Sequence, residues 1–140
     1  MRILITGGTG MVGSAFANVE TKHKLIRYGS QTYNLLREQD VCDMLYRSHA
    51  DAIIHLAAKV GGVKGNSDYM ADFFYENSMI NLNLLNGAKD YKIKKVVSLL
   101  STCVYPNDTV YPLKPCNIHY GEPHPSNFGY AYAKRMLDVH

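Results

Sequence analysis

Short apolar runs alternate along the chain with longer segments whose apolar residues recur every three to four positions. The short runs are typical of strands and the periodic segments of amphipathic helices. Strands are predicted at Arg2–Thr6, Lys24–Tyr28, Asp51–Leu56 and Lys95–Leu100. Helices are predicted at Met11–Glu20, Leu36–Ser48 and Tyr69–Asp90, and a last helix begins near Tyr130 and still runs at His140.

Strands that alternate with helices predict an α/β fold with a doubly wound parallel sheet, because parallel neighbours need crossover connections. The fourth strand is nearly all apolar, so we expect it to be buried on both faces. The segment Thr109–Phe128 contains four of the five prolines and is predicted to be a long loop.

The composition, with 46% apolar and 19% charged residues, is that of a globular protein. A net charge of +3 without a long Lys/Arg run favours an anionic small molecule and argues against nucleic acid as a partner. No apolar run approaches the ~20 residues that span a bilayer, so no membrane association is expected. Cys42, Cys103 and Cys116 lack metal-ligand spacing, which predicts free thiols in a cytoplasmic protein with no metal site.

A glycine-rich turn connects the first predicted strand to the first helix. In "ITGGTGMVG" the residues Gly7, Gly10 and Gly13 have the spacing G-x-x-G-x-x-G. Glycines in this context allow a tight turn, close approach of the main chain to a pyrophosphate, and close helix–strand packing. The turn predicts a dinucleotide-binding, Rossmann-like domain whose phosphate contacts come from Gly7, Gly8, Thr9, Gly10, Met11, Val12 and Gly13.

The residues at the end of the second strand bear on the choice between NAD and NADP. An acidic residue there binds the ribose 2′-hydroxyl of NAD, and none is present in "HKLIRYGSQTYN". Arg27 and Ser30 are available instead, and an arginine suits a 2′-phosphate. NADP (NADPH) is the predicted cofactor, with a solvent-facing Arg27 as the open alternative.

Three side chains near the end of the chain have the chemistry of a reductase. Tyr130 and Lys134 are spaced i, i+4 and therefore share one helix face. A phenol has a pKa of about 10, and a nearby ammonium is expected to lower it toward neutrality. Ser101, at the end of the fourth strand, is the candidate to hold the substrate oxygen. Tyr132 is the competing tyrosine but has no lysine four residues on.

Together these motifs resemble the extended short-chain dehydrogenase/reductase family. The resemblance rests on "TGGTGMVG" (6–13), "HLAA" (55–58), Ser101 and the Tyr130/Lys134 pair. The segments "HLAAKVGG", "STCVYP" and "SNFGYAYAKRMLDV" are similar, within that family, to bifunctional enzymes acting on GDP-4-keto-6-deoxy-D-mannose. Related nucleotide-sugar dehydratases have an Asp/Glu pair where this chain has Cys103.

The resemblance implies NADP-dependent 3,5-epimerisation followed by reduction of the 4-keto group of a GDP-sugar. It implies that Cys103 transfers protons in the epimerisation and that Ser101, Tyr130 and Lys134 serve the reduction. Tyr130 and Lys134 would also contact the cofactor, and the main chain of Leu56, Ala57 and Ala58 would line it. For His55 itself, a packing role and a functional role stay open.

The predicted last helix has no C-cap signal before His140, and four strands are fewer than such sheets usually have, so we interpret residues 1–140 as an incomplete dinucleotide-binding domain. We expect truncation before the last strands and before a C-terminal substrate domain, so the fragment alone is expected to be inactive. The family's second epimerisation residue, a histidine, would lie beyond His140, and a homodimer is expected for the full-length protein. Two alternatives stay open: another nucleotide-sugar epimerase or dehydratase, and a non-catalytic cofactor-binding module.

Overall fold

The computed structural model describes residues 1–140 and shows four strands alternating with five α-helices. The elements are β1 (Arg2–Thr6), α1 (Met11–Ala15), β2 (Lys24–Tyr28), α2 (Glu38–Ser48), β3 (Ala52–His55), α3 (Gly62–Asp68), α4 (Met70–Asp90), β4 (Lys95–Ser98) and α5 (Phe128–Val139). The strands pair in parallel in the order β2-β1-β3-β4. The predicted α/β fold with a doubly wound parallel sheet is confirmed.

The chain forms two compact units. The sheet unit comprises Met1–Ala58 and Leu82–Leu99, and it holds all four strands. The helix unit comprises Lys59–Asn81 and Leu100–His140. None of the helices combines the length and apolarity needed to cross a lipid bilayer.

The core of the sheet unit lies on its two central strands. Leu4, Ile5 and Ile53 of β1 and β3 are fully buried, as expected for parallel strands with neighbours on both sides. Thr6 is in register with His55, so the residues that follow β1 and β3 leave the sheet side by side. This register determines which loops meet at the carboxyl edge of the sheet.

The prediction that β4 is buried on both faces was wrong. The strand ends at Ser98, and its residues alternate between exposed and half-buried. Val97 is 46% exposed and so is Leu99, which follows the strand. The reason is position, because β4 is an edge strand of the sheet and pairs only with β3.

The helices differ from the predictions mainly at their ends. The first helix is shorter than predicted and gives way to a 3₁₀ turn, Phe16–Asn18, consistent with the low helix propensity of glycine and β-branched residues in this stretch. Helix α3 was not predicted, because its two glycines and polar residues give no apolar period. The predicted loop after residue 109 contains only 3₁₀ turns and one isolated bridge, Pro106 to Pro123.

Candidate active site

The glycine turn between β1 and α1 is built without room for side chains. Gly7 has φ +67°, a left-handed conformation that side chains disfavour. Its carbonyl accepts a hydrogen bond from Gly10 N at 3.0 Å, which closes the turn. A Cβ placed on Gly13 would lie 2.2 Å from the Gly7 carbonyl oxygen. The turn and the start of α1 are therefore in direct main-chain contact.

The outer side of the same turn is uncovered. Gly10 precedes α1 in extended conformation, and no side chain caps the first turn of this helix. Met11 is 91% exposed and Val12 is also exposed. Main-chain N–H groups at a helix start suit the oxygens of a phosphate. The glycine turn therefore has the shape and polarity of a pyrophosphate cradle.

Arg27 contacts this turn from the neighbouring strand. It lies on the exposed side of β2, and its Nη1 donates to the Gly8 carbonyl at 3.3 Å. One bond uses one of five N–H donors, so the guanidinium keeps donors for a further acceptor. Tyr28, Gly29 and Ser30 follow, and none of them is acidic. The local chemistry suits the 2′-phosphate of NADP better than the free hydroxyl of NAD.

The segment after β3 supports the glycine turn from the other side. A Cβ on Gly7 would lie 2.8 Å from Ala57 N, so the two main chains are in contact. His55 is 1% exposed, and its Nδ1 is hydrogen-bonded to Thr6 Oγ1 at 2.7 Å. Through this hydrogen bond His55 joins the ends of β1 and β3.

In the helix unit, Ser101 and Cys103 lie in one tight turn. Thr102–Val104 forms a single 3₁₀ turn, and Ser101 caps it by accepting a hydrogen bond from Cys103 N at 3.3 Å. Both side chains are half-buried, whereas Thr102 is exposed. The cap orients the serine oxygen toward the turn and leaves its O–H free to donate elsewhere.

Tyr130 and Lys134 lie one turn apart on α5, as the spacing predicted. Lys134 Nζ is 5.9 Å from the centre of the Tyr130 ring, and Lys134 is only 3% exposed. Tyr132 has other partners, because its ring lies 4.8 Å from that of Phe128. Tyr130 is therefore the tyrosine paired with the buried lysine.

The electrostatics of the pair differ from the expectation that Lys134 lowers the pKa of Tyr130. Burial raises the pKa of the Tyr130 phenol, and the negative charge of a Cys103 thiolate raises it further. Burial also lowers the pKa of Lys134 from 10.5 to about 8. The turn that carries Cys103 packs against α5, the helix of Tyr130. The raised pKa keeps the phenol protonated through the neutral range and above it.

The shifted pKa of Lys134 predicts that stability depends on pH. From pH 8 to 10.5 the unfolded lysine is protonated while the folded one has lost its proton, so stability rises with pH. Between about pH 7.5 and 9.5 this group should add about 2 kcal/mol to the free energy of unfolding. Urea denaturation of the wild type and Lys134→Met measures it, and the variant should lack this increment. The exposed Lys94→Met should keep it, and equal pH profiles for wild type and Lys134→Met would contradict the prediction.

Two asparagines of α4 that no sequence motif singled out are buried in the structure. Asn77 is fully buried; its Oδ1 accepts from Lys59 N at 3.0 Å and its Nδ2 donates to Lys59 O at 3.1 Å. Asn81 donates from Nδ2 to the Ala133 carbonyl at 2.9 Å, beside Lys134. The available signal was their i, i+4 spacing from the buried Phe73, which places all three on one helix face.

Two histidines of the loop region, His119 and His124, have polar partners at the protein surface. His119 pairs with Asp138 at 3.0 Å, and His124 Nδ1 accepts from Ser126 N, both at exposed positions of the loop region. The three cysteines are free thiols. No group of three or more His, Cys, Asp or Glu side chains is arranged to hold a metal ion.

A parallel sheet whose first strand enters a glycine turn, with that turn open on its phosphate-binding side, defines a dinucleotide-binding α/β protein. The chain belongs to the NAD dependent epimerase/dehydratase family, whose profile matches residues 3–140.

Within this family the chain is similar to GDP-L-fucose synthases. It is 42% identical to the GDP-L-fucose synthase of Dictyostelium discoideum, over 98% of this chain and 44% of that protein. It is 41% identical to the probable GDP-L-fucose synthase of Drosophila melanogaster, over 99% of this chain and 44% of that one. The structure matches a GDP-L-fucose synthetase from Naegleria fowleri bound to NADP with a TM-score of 0.90 at 39% identity, covering 98% of this chain and 45% of the other. The chain therefore spans less than half the length of these relatives.

Proposed function

We propose that this chain is the cofactor-binding and proton-transferring part of an NADP-dependent epimerase/reductase. The reaction is the conversion of GDP-4-keto-6-deoxy-D-mannose to GDP-L-fucose, by epimerisation at C3 and C5 and then reduction at C4. The observation that carries the proposal is the packing of the turn of Ser101 and Cys103 against helix α5, the helix on which Tyr130 lies. Similarity to proteins named GDP-L-fucose synthase supports it.

The glycine turn fits the pyrophosphate of NADPH, since a side chain on Gly7 or Gly13 would collide with main chain there. The proposed cofactor contacts are Gly7, Gly8, Thr9, Gly10, Met11, Val12 and Gly13 for the phosphates, Arg27 for the 2′-phosphate, and Leu56, Ala57 and Ala58 as main-chain lining. NADPH supplies a hydride when bound.

For the reduction, the chain supplies a proton and holds an oxygen. Tyr130 carries its proton at neutral pH, as a phenol of ordinary pKa does, and burial raises that pKa further, so Tyr130 can donate the proton to the C4 oxygen. The Ser101 oxygen already accepts from Cys103 N, which leaves its O–H to hydrogen-bond the same substrate oxygen. Lys134, with a pKa of about 8, would bind the nicotinamide ribose. Its ammonium charge would offset the negative charge left on Tyr130 after the proton is donated.

For the epimerisation, Cys103 is the proton-transfer group. A ketone at C4 acidifies the hydrogens on C3 and C5, and inversion needs one group to remove each proton and another to return one from the opposite face. A thiol with an ordinary pKa of about 8.5 is suited to such transfer near neutral pH. We assign the opposing group, and most contacts to the GDP moiety, to sequence outside these 140 residues. The proposal includes a cytoplasmic location and, for the full-length protein, a homodimer.

The replacement Cys103→Ser separates the two half-reactions. Exchange of solvent deuterium into C3 and C5 of GDP-4-keto-6-deoxy-D-mannose should slow by about 10²-fold, because the alcohol is a far weaker acid than the thiol. Consumption of NADPH with the unepimerised ketone should persist. Both rates are measured on the natural polypeptide that contains this chain, by mass spectrometry and by NADPH absorbance.

The matched control is Cys116→Ser, since Cys116 is an exposed free thiol. It should leave both half-reactions unchanged. Epimerisation that continues at the wild-type rate in Cys103→Ser would remove Cys103 from the mechanism. A wild type that converts a 4-hydroxy nucleotide sugar and not the 4-keto sugar would instead identify a 4-epimerase or dehydratase.

A further inference from the structure

Arg135, next to Lys134 on α5, is a buried cation that the proposed chemistry does not use. It is only 5% exposed. Its Nε donates to the Val104 carbonyl at 2.7 Å, and its Nη2 donates to the Gly121 carbonyl at 2.8 Å. Its guanidinium carbon lies 5.2 Å from the centre of the Tyr132 ring. The side chain therefore connects α5 to two separate loop segments.

The partners of this guanidinium are main-chain carbonyls and a ring, and none of the ion pairs in the structure involves it. Burying a charge without a carboxylate is costly, and an apolar residue would fill the same volume at lower cost. What an apolar residue cannot do is hold two carbonyl oxygens in a fixed mutual geometry, which the planar fork of arginine does. The contacts indicate a geometric role.

The turn that Arg135 holds is the one that carries Ser101 and Cys103. Apart from this bond, the turn's hydrogen bonds are local: Val104 N to Ser101 O at 3.1 Å, and Tyr105 N to Thr102 O at 3.2 Å. Local bonds shape the turn but do not place it relative to α5. The bond from Arg135 to the Val104 carbonyl does, because Val104 directly follows Cys103.

We propose that Arg135 is a positioning residue that locks the Ser101–Cys103 turn and the Gly121 segment onto α5. It thereby sets the distance between the Cys103 thiol and the Tyr130 phenol, because Tyr130 and Arg135 lie on the same helix, α5. The catalytic part of this inference rests on the proposed function, whereas the placement of the turn does not.

Alkylation of the cysteines tests the placement without any turnover. In Arg135→Met, loss of a buried charge-assisted hydrogen bond should free the turn and speed iodoacetamide labelling of Cys103 by about ten-fold. Cys42 and Cys116, counted separately by peptide mass spectrometry, should change by less than about two-fold, since a local opening does not reach them. Arg135→Lys keeps the charge but has one nitrogen where the arginine uses Nε and Nη2, so it should give an intermediate rate at Cys103. Arg47→Met makes the same replacement at an exposed site paired with Asp43 and should leave all three rates unchanged.

Unchanged labelling of Cys103 in Arg135→Met would overturn the proposal, and so would equal acceleration at all three cysteines, which is the signature of general destabilisation. If Arg135→Met does not fold, Arg135→Lys decides: faster labelling confined to Cys103 supports the proposal, and a wild-type rate overturns it. In turnover assays of the natural polypeptide, Arg135→Lys should lower kcat for epimerisation with KM within about two-fold. A wild type without turnover would refute the proposed function, while the labelling result would still decide the placement.

Discussion

Alanine at Gly13 is expected to weaken NADPH binding by about 10³-fold, because overpacking and lost phosphate hydrogen bonds each cost about 1–3 kcal/mol, or about 4 kcal/mol together. The added Cβ would lie 2.2 Å from the Gly7 oxygen and 2.6 Å from Gly8 Cα. Both contacts are with main chain, so no side-chain rotation can relieve them. The turn must open, and its N–H groups then lose their common direction toward the pyrophosphate.

The measurement is a fluorescence titration with NADPH, run beside thermal denaturation of each protein. Gly65→Ala is the matched control, since a Cβ there would meet only ordinary contacts with the Phe73 ring, at 3.6 Å and beyond, and Gly65 lies within helix α3. It should bind NADPH like the wild type and be unchanged or slightly more stable. An affinity in Gly13→Ala within a few-fold of wild type would show that the turn does not hold the pyrophosphate. Failure of the wild type to bind NADPH would overturn the cofactor assignment itself.

Replacing Tyr130 with phenylalanine is expected to slow reduction of the 4-keto group by about 10³–10⁴-fold, the upper range for a lost general acid. Phenylalanine keeps the ring beside Lys134 and removes only the hydroxyl, so packing on α5 is preserved. Because the pKa of Tyr130 is raised above 10, the wild-type phenol is protonated throughout the neutral range. Ionisation of Tyr130 should therefore not limit wild-type reduction at neutral or mildly alkaline pH.

The assay follows oxidation of NADPH by the natural polypeptide that contains this chain, with GDP-4-keto-6-deoxy-D-mannose as substrate. Tyr132→Phe is the control, because Phe keeps the ring that contacts Phe128 and Arg135. Its rate should match the wild type. Equal losses in the two variants would mean that the hydroxyls act through packing, and an active Tyr130→Phe would exclude Tyr130 as the proton donor.

Several of these features could be derived from the order of residues. The strands β1 and β2 were predicted at their observed bounds. For β1 the signal is a short β-branched run followed by glycines, which is typical of a strand that ends in a turn. The glycine turn and the Tyr130/Lys134 pair follow from spacing within one element, where 3.6 residues per turn decides which side chains meet.

Other features depend on which segments pack together. The apolar composition of β4 does not show that it is an edge strand with Val97 exposed, since exposure depends on its neighbours. A polar side chain such as asparagine is expected on the surface of a helix. Asn77 is nevertheless buried, because its amide hydrogen-bonds both the main-chain N–H and the carbonyl of Lys59. The sign of the pKa shift at Tyr130 was also misjudged, because desolvation depends on burial rather than on the lysine four residues away.

The sequence by itself therefore determined the order of the strands, the helices other than α3, the glycine turn and the i, i+4 pairing of Tyr130 with Lys134, because these depend on local spacing. The tertiary structure alone decided that Arg135 bonds to the turn of Cys103, that His55 joins β1 to β3, and that burial raises the pKa of Tyr130. Each of these depends on contacts between residues tens of positions apart or on exclusion of water. Long-range contacts and the exclusion of water from a side chain cannot be read from spacing along the chain, because both arise only when the chain has folded.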